Sequence, residues 1–487
     1  MDIKVIVLTL YAALTFWIGY TGMKKTKTFN DFFLGGGNVG PWMTAFSYGT
    51  AYFSAVLFIG FAGKIGWSFG FSGLWIALFN ALIGVLLVWK VLGWKIKTMS
   101  VEMKVATMSE YLEKRYQSKH IKLLSALVIF IFMIPYSAAV FMGLSYLFTS
   151  SFQIDYGVIL IAMGFFTATY VIMGGYKSMA LIDTVFGIIM AISVVILFYS
   201  TIQKGGGMST IGENLSLINE KLVGPVGPPG FMNLFSLIFL TSMAPLAMPQ
   251  LVQKFYAIKD QRSVKIGMFA STLFAMLIGF IAYYLGSTTR VFLTPETTPQ
   301  AFENGQPIFD RLMPELLTSV IPEYLSVIIL LLILSASMST LASLVLISSS
   351  SFTKDFWAGY IQKNISDRSL TRLMRIMSAV FIGLAVLLAY VELDVIVEIL
   401  GISWGALGAF FLGPFFWGLF SKRTSRLAAY GSGLIGLSIT LILYFVGVST
   451  VETIKPWYFS SPGAGTLGII ASFVLAPLLS LFTKNKA

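Results

Sequence analysis

The stretch LLILSASMSTLASLVLISSSSFT, residues Leu331–Thr353, decides how the rest of the sequence is interpreted. It is apolar and long enough to cross a bilayer, for which about 20 residues suffice. At helical spacing, however, Ala336, Ser339, Thr340 and Ser343 fall on one stripe of that helix. Their carbonyl and hydroxyl oxygens suit a hard cation such as sodium. Small residues also let helices pack closely, so the stripe alone leaves a cation site and a packing face equally open.

The composition of the whole chain places it in a membrane. Of its 487 residues, 57% are hydrophobic and only 11% are charged, which is typical of a polytopic α-helical membrane protein. A β-barrel would show short alternating segments instead. The formal net charge of +12 would suggest nucleic acid in a soluble protein, but here asymmetric loop charge explains it, and no nucleic-acid partner is expected. The chain has no cysteine and one histidine, His120, in a charged loop.

About thirteen spans are predicted, all within one transmembrane domain that covers residues 1–487. They are 4–22, 41–64, 71–93, 121–149, 157–174, 180–201, 231–253, 264–288, 319–352, 371–391, 395–420, 427–447 and 464–483. We number them 1 to 13 in this order. Loop cations fall mostly on one side, which predicts an outer N-terminus and a cytoplasmic C-terminus in the plasma membrane. The cations assigned to the cytoplasmic side include Lys24, Lys97, Lys104, Arg115, Lys254, Lys354, Arg372, Lys422 and Arg423.

Two spans are predicted to be broken helices. Span 2 carries Gly49 and several polar residues at mid-depth, and span 7 carries Pro245 and Pro249, which disturb the helical hydrogen-bond ladder. Non-helical backbone at membrane depth is tolerated only inside protein or beside a cavity. Spans 2–6 and 7–11 form two blocks of five, each led by its broken helix. Such a pair of interruptions points to the substrate site of a transporter.

Asp183, at the start of span 6, is the other candidate functional residue. A carboxylate within a membrane segment is costly and is usually functional. The alternative is an interfacial aspartate that caps the helix N-terminus and is stabilised by the helix dipole. The sequence of span 6 leaves both interpretations open.

Several motifs together resemble the sodium/solute symporter family, which includes the proline, pantothenate, sialic acid and sodium/glucose carriers. The matching motifs are Asp31-Phe-Phe-Leu-Gly35-Gly36, Gly174-Gly175 followed by Asp183, Ala336-Ser-Met-Ser339-Thr340, and Ser350-Ser351-Phe-Thr353-Lys-Asp355. The resemblance covers nearly the whole chain. It implies a LeuT-type fold of five plus five inverted-repeat helices. The blocks would be 41–201 and 231–420, with an extra first helix and loop in 1–40 and two extra helices in 421–487.

The resemblance also implies the ligands of a sodium ion. They would be the backbone carbonyls of Thr50, Phe53 and Ala336 and the hydroxyls of Ser339 and Thr340. Asp183 would lie on the ion's exit path, and with Ser343 it would contribute to a possible second sodium site. Three departures from the family pattern make that second ion doubtful or alter its surroundings: Ala342, Ile182 and Phe186.

A solute pocket is implied beside the break in span 2, between spans 2, 4, 7 and 11. The candidate residues that face it are Tyr48, Tyr52, Val56, Leu57, Tyr136, Ser137, Met243 and Trp404. The positions that match the polar sugar ligands of glucose carriers are Tyr52, Val56 and Leu57, which argues against a sugar. A small, fairly apolar solute fits best, with proline or another small amino acid first, and pantothenate or a short carboxylate next.

The predicted function is therefore sodium-coupled symport by alternating access, carried out by a monomer in the lipid bilayer. The alternative is a proton-coupled carrier on the same fold, with Asp183 as the proton site. An enzyme is disfavoured because no paired catalytic groups are apparent within the spans. A channel is disfavoured because no rings of charged residues are apparent.

Overall fold

The computed structural model describes residues 3–25, 28–450 and 455–483, which are almost entirely helical. The long helices are Ile3–Lys25 (span 1), Pro41–Tyr52 with Val56–Phe61 and Ala62–Phe69 (span 2), 74–102 (span 3), Lys119–Phe152 (span 4), Tyr156–Gly174 (span 5), Tyr176–Lys204 (span 6), Phe231–Met243 with Pro249–Ala257 (span 7), Gln261–Phe292 (span 8), Glu323–Ile361 (span 9), Asp367–Val391 (span 10), Ile396–Phe420 (span 11), Arg426–Ser449 (span 12) and Ser461–Phe482 (span 13). The connections contain shorter helices and one small antiparallel hairpin: Phe29–Leu34, Met108–Tyr116, Met208–Ile218, Phe309–Glu315, and the strands Phe302–Glu303 and Gln306–Pro307.

The structure does not confirm the predicted number of membrane spans. Among the described residues, 11 helices are long and apolar enough to cross a membrane, or up to 12 if the bent pair in span 7 is one span. The exact count of thirteen is therefore not confirmed. Part of the difference arises because residues 56–102 count as one apolar segment.

Between residues 49 and 93 the chain reverses direction beside span 8. The neighbouring pairs, in chain order, are Gly49–Phe274, Gly66–Gly286, Ala77–Gly279 and Gly93–Val264. The contacts first advance along span 8 and then return. The turn begins at Gly70, whose φ of +58° favours glycine, and a Cβ there would lie 2.2 Å from the carbonyl oxygen of Leu222.

Span 2 is interrupted, as the sequence predicts. Its first half ends at Tyr52, and Phe53 is extended with φ −108° and ψ 110°. The hydroxyl of Ser54 then accepts a hydrogen bond of 3.2 Å from the Val56 N–H, which caps the second half. The break therefore leaves the carbonyl of Thr50 without the N–H partner that an unbroken helix would supply.

Span 7 is also interrupted, at its two prolines. The first half ends at Met243, a short 3₁₀ turn follows, and Met248 is extended with φ −75° and ψ 118°. The second half begins with Pro249, a favoured first residue because a helix leaves that N–H unpaired anyway. The two halves are bent by 42° relative to each other.

Spans 9 and 11 form the centre of the molecule. In the most apolar 18-residue stretch of each helix, 78% of the residues of span 9 and 89% of those of span 11 are buried, against 22% in span 1. The hydroxyl-bearing stripe of span 9 is buried as well, and it therefore faces protein rather than lipid.

Candidate functional site

The break in span 2 lies directly against the polar stripe of span 9. The hydroxyl of Thr340 lies 3.1 Å from the carbonyl oxygen of Thr50 and 3.1 Å from that of Ala336. The Ser339 hydroxyl donates a 2.7 Å hydrogen bond to the Thr50 hydroxyl. Phe53, the remaining residue in the predicted ligand set, is the extended residue of the break. Thr50, Ala336, Ser339 and Thr340 therefore converge, and all four are buried.

This cluster contains more acceptor oxygens than hydrogens to fill them. Thr340 has one hydroxyl hydrogen, yet the carbonyl oxygens of Thr50 and Ala51, at the end of the first half of span 2, both lie within 3.5 Å of its oxygen. The Ala336 carbonyl is also close, although it lies within an unbroken helix. Buried lone pairs without donors are costly unless a cation or another donor satisfies them. Neutral oxygens in this number suit a sodium ion as ligands. The residues present therefore fit a sodium ion.

A charged cluster lies one helical turn away along span 9. Ser47 donates a 2.5 Å hydrogen bond to Oδ2 of Asp183 and accepts one of 2.9 Å from the ammonium of Lys254. The same ammonium donates to the Ser343 hydroxyl at 2.9 Å. It also lies 5.0 Å from the centre of the Tyr176 ring. Asp183 and Ser343, which the resemblance assigns to a possible second sodium site, are thus linked through Ser47 and Lys254.

Lys254 was predicted to be a loop cation, and this prediction is wrong. The structure places it in the second half of span 7, where it is only 2% exposed. The error came from ending span 7 at residue 253, whereas the helix that begins at Pro249 continues to Ala257. A proline at that position is itself a helix-start signal, and it was the available clue to the burial of Lys254.

A small cavity of about 30 Å³ lies beside the break in span 2. Five of the predicted pocket residues line it: Tyr52, Val56, Leu57, Tyr136 and Trp404. The lining also includes residues that were not predicted for this pocket: Phe53, Ser54, Phe61, Asn80, Thr241, Tyr283 and Leu400. An asparagine within the apolar run of span 3 was a readable signal for Asn80.

Three of the predicted pocket residues do not line this cavity. Tyr48 is fully buried, donates a 3.1 Å hydrogen bond to the Gly84 carbonyl and packs against Trp89. Ser137 is buried within span 4, and Met243 is partly buried at the end of the first half of span 7. Tyr48 thus acts as a structural link between spans 2 and 3 in this conformation.

The cavity combines aromatic walls with a few polar groups. The Trp404 ring contacts those of Tyr52 and Tyr136, with ring centres 5.8 and 5.7 Å apart. Its indole Nε1 is buried and has the Tyr136 hydroxyl as its hydrogen-bonding neighbour. The side-chain oxygen of Asn80 is 2.8 Å from the Thr241 hydroxyl. These groups suit a small solute with one polar end and one apolar end.

Ionisable side chains gather at one end of span 11. The Lys64 ammonium forms a 2.7 Å ion pair with Glu398. Beside it, the buried Asp310 accepts a 2.9 Å hydrogen bond from the Ile396 N–H at the start of the span. Burial raises the pKa of the Asp310 carboxyl to about 7, although the Ile396 N–H and the Lys64 charge act in the opposite direction. Glu398 is therefore paired across the fold, with a lysine of span 2.

Comparison with known proteins identifies the family of this chain. The sequence model of the sodium:solute symporter family matches residues 32–436. The chain belongs to the sodium:solute symporter family, as predicted.

Curated relatives of similar length carry transport functions. An osmoregulated proline transporter of Bacillus subtilis is 27% identical, over 100% of this chain and 96% of the relative. A sodium/proline symporter of Escherichia coli is also 27% identical, over 96% and 93% of the two chains. A sodium/pantothenate symporter of Haemophilus influenzae is 26% identical, over 91% of each. All three are transporters rather than enzymes.

Solved structures support the predicted fold. A Na⁺-coupled sialic acid symporter has a TM-score of 0.79 and 19% identity, over 100% of this chain and 99% of that one. The transporter MhsT in complex with L-phenylalanine has a TM-score of 0.52 and 15% identity, over 91% and 97% of the two chains. These likenesses confirm an all-helical fold of the LeuT type.

Proposed function

We propose that this chain is a sodium-coupled symporter that imports a small organic solute across the plasma membrane by alternating access. The observation that carries the proposal is the buried convergence of Thr50 with Ala336, Ser339 and Thr340. Proline transporters and symporters among the relatives support the same reading.

The proposed coupling follows from where the ion would bind. A sodium ion held by Thr50, Ala336 and Thr340 bridges the broken span 2 and span 9. It thereby stabilises the conformation whose break forms one wall of the solute cavity. Two ligands that favour the same conformation bind cooperatively. The membrane potential adds about 2.3 kcal/mol per charge per 100 mV for a cation moving inward.

The proposed solute is proline or another small amino acid, and pantothenate or a short carboxylate comes next. The cavity lining contains no charged side chain among the described residues. A carboxylate would therefore be held by neutral donors, such as the N–H groups that begin the second half of span 2. Apolar Val56, Leu57 and Leu400 would contact the rest of the solute.

We further propose that the five-span blocks 41–201 and 231–420 are inverted repeats. The N-terminus would be outside and the C-terminus cytoplasmic, and a single chain would be the working unit. Because the chain has no cysteine, single cysteines label without background. At the exposed positions Glu303 and Lys363, an impermeant maleimide on intact cells should label Glu303→Cys only. Labelling of Lys363→Cys only would reverse the orientation.

Uptake into proteoliposomes tests the function. Radiolabelled proline, other small amino acids, pantothenate and short carboxylates are supplied one at a time under an inward sodium gradient. We expect saturable uptake and counterflow with one of these solutes, and neither in choline. Uptake driven by a pH gradient without sodium would identify a proton-coupled carrier instead. Flux that neither saturates nor shows counterflow would identify a channel.

A further inference from the structure

Lys254 has a position that neither the cation site nor the solute cavity explains. Its ammonium donates hydrogen bonds to the hydroxyls of Ser47 and Ser343, each at 2.9 Å. The Ser47 hydroxyl in turn donates a 2.5 Å hydrogen bond to Asp183. Asp183 and Ser343 are the two residues that would contribute to a second sodium site. The ammonium is therefore bound where that second ion would bind.

We propose that Lys254 is a tethered cation that fills this second site, so that the chain binds one sodium ion rather than two. The inference rests on the proposed sodium coupling and specifies its stoichiometry.

The charge balance of the cluster supports this assignment. Asp183 and Lys254 are both 2% exposed, and together they are neutral. A sodium ion added to this pair would leave a buried net positive charge, which is costly in a low-dielectric interior. Without the lysine, the same pocket would hold a buried carboxylate beside two hydroxyls. Such a pocket attracts a small cation.

The ammonium also links several helices, as a bound ion would. Lys254 is on the second half of span 7, and its partners lie on the first half of span 2 and on span 9. Through Ser47 it reaches Asp183 on span 6. Ser343 follows Ser339 by one helical turn, so the ammonium occupies a position adjacent to the candidate sodium ligands. A covalently held charge can link these helices permanently, whereas a free ion would leave in each cycle.

Equilibrium binding of ²²Na⁺ to the purified full-length protein tests the proposal without a known solute. Sodium is titrated at constant ionic strength with choline as the replacement cation, and the number of ions bound per chain is read at saturation. We expect one ion in the wild type and two in Lys254→Met. Lys254→Arg keeps the charge and should bind one. Adding Asp183→Asn to Lys254→Met should return the number to one.

Each outcome decides a different claim. Two ions in the wild type, or one ion in a monodisperse Lys254→Met protein, would overturn the tethered-cation proposal and leave sodium coupling intact. No sodium binding in the wild type would instead defeat the proposed function. If Lys254→Met does not purify, Lys254→Gln removes the charge but keeps an N–H donor for Ser47. It should also bind two ions, and a count of one would overturn the proposal.

Discussion

Replacing Thr340 by valine removes one hydroxyl from the candidate sodium site and preserves the branched shape of the side chain. That hydroxyl lies 3.1 Å from the Thr50 carbonyl, which has lost its helical partner at the break. The change deletes one oxygen ligand and leaves a buried carbonyl without its neighbour. Losing an interaction with a charged group costs about 1.5–3 kcal/mol. The sodium concentration for half-maximal uptake should rise roughly 10- to 150-fold, since every 1.4 kcal/mol is about tenfold.

The assay is uptake of the solute identified in proteoliposomes, measured over a sodium titration at fixed ionic strength and membrane potential. Ser339→Ala should raise the half-maximal sodium concentration as well. Ser337→Ala is the matched control, because Ser337 is buried on the same helix but, within the described part of the chain, its hydroxyl bonds only to the Ile333 carbonyl of that helix, at 2.6 Å. If Thr340→Val and Ser339→Ala both retain the wild-type sodium dependence, the proposed ion site is wrong.

Two further predictions concern stability, read as melting midpoints of the purified protein. The pKa of Asp310 is raised from 3.8 to about 7 by burial, so stability is full at low pH and declines as the pH rises through about 7. Asp310 should contribute about 1 kcal/mol to the decline from about pH 6 to about pH 8, and Asp310→Asn should reduce the decline by that amount; a slope unchanged by the substitution would contradict this assignment. A Cβ at Gly66 would lie 2.0 Å from the backbone of Gly286, so Gly66→Ala should cost about 3 kcal/mol and lower the yield of folded protein. Gly383→Ala is the control, because a Cβ there meets nothing within 4 Å and should be neutral or stabilising; equal yields of the two variants would refute the packing argument.

The features of the site that the sequence predicted best are those that depend on residues close together in the chain. The serine stripe has helical spacing within an apolar run, so Ala336, Ser339 and Thr340 had to share one face. Pro245 and Pro249 could not continue an ordinary helix, and the break in span 7 follows from them. Both signals depend only on neighbours in the chain.

The parts that sequence missed depend on contacts between distant segments. The burial of Lys254 depends on Ser47 and Ser343, which lie 207 and 89 residues away in sequence. Tyr48 was expected in the cavity, but its hydroxyl is bonded to a carbonyl of span 3 that no side-chain pattern reveals. The count of thirteen spans stays a prediction, because apolarity alone does not mark where residues 56–102 turn back.

A cryo-electron microscopy map of the protein in sodium chloride would show whether the proposed site binds an ion. We expect density for one ion among the carbonyls of Thr50 and Ala336 and the hydroxyls of Ser339 and Thr340, and we expect this density to be lost in choline chloride. A well-resolved map in sodium that shows no ion there, with the Thr340 hydroxyl still bonded to the Thr50 carbonyl, would contradict it.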